Sequence, residues 1–81
     1  MRHAGAAALD RLEPLLVELR GIPGLVEKKR GIFYRKSVAF LHFHEDPSGL
    51  YADLRLTDDF DRFCVESEGE RAALLATIRS L

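Results

Sequence analysis

His42 and His44 flank Phe43 in the run Ala39-Phe40-Leu41-His42-Phe43-His44-Glu45-Asp46. Successive side chains of a strand alternate faces, so residues two apart present both imidazoles on one side. Such a pair is half of a divalent-metal site of the zinc type, which needs three or four nitrogen, sulfur or carboxylate ligands. Asp53, Glu45, Asp46 and His3 are the residues available to complete it. Asp53 and Arg55 have the same two-residue spacing, join the histidines as a candidate polar or acid/base site, and can form an ion-pair network with Glu45. The competing role for the histidines is structural, as half-buried rings that pack and hydrogen-bond at a sheet edge.

Other chemistries find less support. Cys64 lies between Phe63 and Val65 with no cationic neighbour to activate it, so it reads as an inert thiol. No serine, threonine or cysteine sits in a nucleophile motif, and there is no glycine-rich phosphate loop. No catalytic residue is assigned, and no cofactor is expected beyond a divalent metal at His42 and His44.

The element that must position these residues is a hairpin, Ser37 to Leu56, turning at Asp46-Pro47-Ser48-Gly49. Pro47 presets the backbone for a type I turn and Gly49 suits a bulged closure, which would pair Asp46 with Leu50. His42 then faces Leu54 and His44 faces Ala52, on the sheet face covered by helices. The other face carries Ala39, Leu41, Phe43, Glu45, Tyr51, Asp53 and Arg55. Closure one residue tighter would pair His42 with Asp53 and His44 with Tyr51 and exchange the faces of one strand. In the favoured register Leu41, Phe43 and Tyr51 form an exposed apolar surface, an interface for a second copy of the chain or for another protein.

Leu9, Leu12, Leu15, Leu16 and Leu19 recur at helical spacing and predict a helix from about Ala7, bent near Pro14 and stopped at Gly21. Leu25 to Lys36 reads as a strand interrupted at Gly31. Phe60 to Val65 predicts a short strand. Ser67 and Glu70 have capping-box spacing ahead of a helix bearing Leu74, Leu75, Ile78 and Leu81. The order of elements predicts a two-layer α+β sandwich, a three- to four-stranded antiparallel sheet with the N- and C-terminal helices on one face.

The 81 residues predict a single domain, residues 1–81, with a small core. A net charge of −1 argues against a surface built as a whole for nucleic acid or anionic membrane, and no apolar run approaches the ~20 residues of a membrane span. Lys28, Lys29, Arg30, Arg35 and Lys36 form a basic stretch that reads as a solvated edge or, with Phe33 and Tyr34, as a weak single-stranded nucleic-acid contact. One cysteine excludes an internal disulfide and fits a reducing, cytoplasmic setting.

Two resemblances follow from these residues. Lys36 to Phe43 looks like the octapeptide of RNA-recognition motifs, but Ser37 and Val38 replace its glycine and first stacking aromatic, and a turn follows where that motif has a helix. Ala39 to Leu56, with its phenylalanine, His-x-His pair and loop into a short strand, resembles the middle of a small bacterial domain family labelled luciferase-like. Ile22-Pro23-Gly24 after a helix is shared too, whereas the family's Gly-Trp stretch is absent because the chain has no tryptophan. This resemblance implies only a small α+β domain of largely unknown activity and does not license light-emitting chemistry.

Overall fold

A computed structural model describes residues 1–81. The elements are β1 (Arg2–His3), α1 (Ala6–Arg20), β2 (Leu25–Lys29), β3 (Ile32–Arg35), β4 (Val38–Asp46), β5 (Gly49–Arg55), β6 (Phe60–Cys64) and α2 (Glu68–Arg79). The sheet runs β2-β3-β4-β5-β6, every pairing is antiparallel, and the short β1 docks on β4. The α+β class, the terminal helices and their shared face are as expected. The strands outnumber the expectation because Leu25–Lys36 is a hairpin of two strands, turning at Arg30-Gly31, and because β1 exists.

Each helix is there for a local reason. The leucine stripe of α1 buries Leu9, Leu12, Leu15, Leu16 and Leu19 while Pro14 stays within the helix. The Ser67 side chain accepts the Glu70 N–H at 3.1 Å and the Glu70 carboxylate accepts the Ser67 N–H at 2.9 Å, completing the capping box that starts α2. Leu74 and Ile78 of α2 join the α1 leucines over Phe33, Leu41, Phe43, Ala52, Leu54 and Val65, giving one core between the helices and the sheet. Gly31 makes close approach possible: its φ is +79°, and a Cβ there would lie 2.6 Å from the Leu9 Cδ2.

The hairpin register corrects the expected one. Asp46 pairs with Gly49, His44 with Tyr51, Phe43 with Ala52, His42 with Asp53 and Leu41 with Leu54. The loop is therefore the tighter, two-residue closure. Locally, Asp46 Oδ1 accepts the Ser48 N–H at 2.7 Å, and the Ser48 hydroxyl bonds the Tyr51 hydroxyl at 2.6 Å. Globally, this register sets the apolar side of β4 beside the apolar side of β5, so Leu41, Phe43, Leu50, Ala52 and Leu54 are all buried. Sliding by one residue would set His42 and His44 against the helices instead. Leu41 and Phe43, expected at an exposed interface, are core residues; Tyr51, Asp53 and Arg55 do lie on the face without helices.

One irregularity shapes β4. Phe33 pairs with Leu41 and Tyr34 with Ala39, so Phe40 is the extra residue of a bulge in the β3–β4 ladder. The bulge turns Phe40 as well as Leu41 toward the helix side, where both are buried.

Candidate metal centre

The uncovered sheet face brings His42, His44 and Asp53 together and adds two residues. His3 arrives on β1, where it pairs with His44 while Arg2 pairs with Glu45. Arg62 arrives on β6, directly opposite Asp53. The ligand-capable nitrogens of His3, His42 and His44 all lie within 4.8 Å of one another. His42 Nδ1 and His44 Nε2 are 2.9 Å apart, so in the bare site one of them carries the proton of a hydrogen bond. His44 Nε2 also lies 3.2 Å from Asp53 Oδ2.

Asp53 is buried, and its charge is met by Arg62, whose Nε and Nη2 donate to the two carboxylate oxygens at 2.8 and 2.9 Å. This two-pronged pair holds the Asp53 carboxyl below its usual range, against a smaller opposing effect of burial. Burial lowers the pKa of His42, the neighbouring His44 lowers it further, and Asp53 acts the other way. Burial lowers His44 too, with Asp53 again opposing. Both rings are thus biased to the neutral form, which is the form that ligates metal. Phe60 closes one side of the cluster, its ring edge-on to His42 at 4.7 Å between centroids.

Three tetrahedral nitrogens around zinc sit about 3.3 Å apart, given Zn–N bonds of roughly 2.0–2.1 Å. The histidine nitrogens are within small side-chain adjustments of that spacing. Asp53 Oδ2 is the nearest carboxylate oxygen for a fourth position or for a hydrogen bond to a ligating imidazole. The donor set is imidazole and carboxylate, suited to Zn²⁺, Ni²⁺ or Cu²⁺ rather than to a cation that demands all-oxygen ligands. His3 is exposed while His42 and His44 are half-buried, so the cluster reaches solvent on its His3 side.

The chain matches no protein-family model, no curated protein and no solved structure.

Several expected site residues lie elsewhere. Arg55 points away from Asp53: its Nε donates to the Ala39 carbonyl at 2.8 Å, its Nη1 to the Asp58 carbonyl at 2.6 Å, and it stacks over Phe60. Glu45 is engaged at the β1 entry, accepting the Gly5 N–H at 2.6 Å and pairing with Arg2 at 3.1 Å. Asp46 is held in the hairpin turn. The network anticipated among Asp53, Arg55 and Glu45 is replaced by Asp53 with Arg62 and Glu45 with Arg2. Within the basic stretch, Lys28 covers the Tyr34 ring, Arg30 pairs with Asp10 and Glu13, and Arg35 lies over Phe40. Lys29 is exposed at the end of β2, and Lys36 sits in the β3–β4 turn.

Arg62 had no local signal in the sequence. It becomes visible only when Asp53 is registered against β6.

Proposed function

We propose that this domain binds a divalent transition-metal ion through His3, His42 and His44, with Asp53 as fourth ligand or as the acceptor that orients one imidazole. The observation that carries this reading is the convergence of three histidine nitrogens within 4.8 Å, one of them delivered by a separate strand. Paired histidines two apart arise in many amphipathic strands, whereas a third histidine from another element needs its own explanation. The lowered pKa values of His42 and His44 support it, because protons then compete less with metal near neutral pH. The role in this reading is binding, structural or carrier.

The test is calorimetric titration of chelator-treated protein with Zn²⁺ and Ni²⁺. One-to-one binding is expected, weakened at least about tenfold in each of His3→Ala, His42→Ala and His44→Ala, the scale of losing a directly supporting interaction. Binding that persists unchanged in all three variants, or no binding at all, contradicts the proposal.

A further inference from the structure

A second site lies on the opposite side of the sheet. A cavity of about 300 Å³ opens where both helices end, walled by Ile22, Pro23, Leu25, Phe40, Ile78 and Leu81. Two guanidinium groups reach it, from Arg35 and Arg79. Arg79 has a carboxylate partner, Glu18, at 3.1 Å. Arg35 takes part in none of the ion pairs of the chain, and its guanidinium lies over the Phe40 ring, 5.5 Å from the centroid.

The helix ends do not use up this cation. The Leu19 and Ile22 carbonyls already accept the Ile22 and Leu25 amides, and the Ala76, Thr77 and Ile78 carbonyls accept from Ser80 and Leu81. The backbone beside Arg35 is also held in an uncommon conformation. Lys36 and Ser37 form the two-residue turn between β3 and β4 with φ of +52° and +66°, values that side-chain-bearing residues rarely adopt. The Phe40 bulge lies at the other end of the same strand segment. The turn and the bulge together fix the strand pair from which Arg35 projects.

We infer that this cavity binds a small ligand with an apolar body and a carboxylate. The carboxylate meets Arg35, whose planar fork matches it in a two-bond pair. The body packs against Ile22, Leu25, Phe40 and Ile78. The cavity volume, at the lower end of ligand sites, limits the body to about one aromatic ring or a short branched chain.

Phenylacetate, with phenylacetamide as its uncharged counterpart of the same shape, is the probe. Followed by amide NMR, phenylacetate shifts residues of the 22–25 and 35–40 segments and Ile78, and phenylacetamide binds at least about tenfold more weakly, the scale of one charge-assisted hydrogen bond. Arg35→Gln, a substitution at a half-exposed strand end, removes that preference. His3→Ala and His44→Ala leave it intact, so this site and the metal reading fail separately. Equal binding of acid and amide, shifts mapped to another surface, or no shifts at millimolar phenylacetate each overturn the inference.

Discussion

Replacing Phe43 by alanine tests the register on which the histidine cluster depends. Phe43 lies between His42 and His44 on β4, is 2% exposed, and stands opposite Ala52, which is too small to fill the vacated space. Truncating a buried phenylalanine costs about 3–5 kcal/mol, combining lost transfer energy with a cavity that neighbours fill only in part. A domain of this length is stable by roughly 4–12 kcal/mol at the usual stability per residue. The substitution therefore removes between a quarter and all of the stability, and urea denaturation followed by circular dichroism reads it as a large drop in midpoint with little change in slope. Had Phe43 lain on the uncovered face, the same change would lower self-association and leave the midpoint nearly unchanged. A Phe43→Ala chain with wild-type urea midpoint would refute the register, and with it the pairing of His42 with Asp53.

Other substitutions probe the packing and titration around this hairpin. Gly31→Ala should destabilise by about 2–4 kcal/mol, from a residue forced to positive φ plus a methyl driven into Leu9, and a urea midpoint equal to wild type would contradict that packing. Ser37→Gly should stabilise by about 0.5–1 kcal/mol, seen as a raised melting temperature, because glycine adopts the φ of +66° without strain; a lowered melting temperature would contradict this. In metal-free protein His42 and His44 titrate below the unfolded value of about 6.5, so on acidification the unfolded chain takes up protons first. Stability is then fully present above pH ~6.5 and declines as pH falls from there through the lower folded values, whereas the Asp53 contribution is lost only at pH below ~3.9. Urea midpoints at pH 7.5 and 5.5 measure the first window, and the difference should shrink in a His42→Gln, His44→Gln double variant.

What was legible in the sequence was the local chemistry. The capping box at Ser67 and the leucine stripe of α1 are encoded by residues within a few positions of one another and form as read, while the turn at Pro47 falls where expected but closes one residue tighter. The register was not decided by the turn. Pro-Ser-Gly permits a bulged closure, but the alternation of Leu41 and Phe43 on β4 with Leu50, Ala52 and Leu54 on β5 outweighs it, because burying both apolar sides on one face is worth far more than a preferred loop. Matching those two patterns before reading the loop would have placed the histidines beside Asp53. The partners of the cluster came from further away: β1 is two residues long and has no periodicity to detect, and Arg62 meets Asp53 only across the β5–β6 ladder. His3 could be named as a candidate ligand from its type alone. Its place could not.

Titration of metal-free protein with Zn²⁺, following the ring signals of all three histidines by NMR, tests the three-histidine site most directly. His3, His42 and His44 should shift together, saturate at one equivalent, and lose that joint response in His3→Ala, because the third ligand comes only from β1. Shifts confined to His3, or rings that titrate independently without saturating at one equivalent, would contradict it and return His42 and His44 to a structural role.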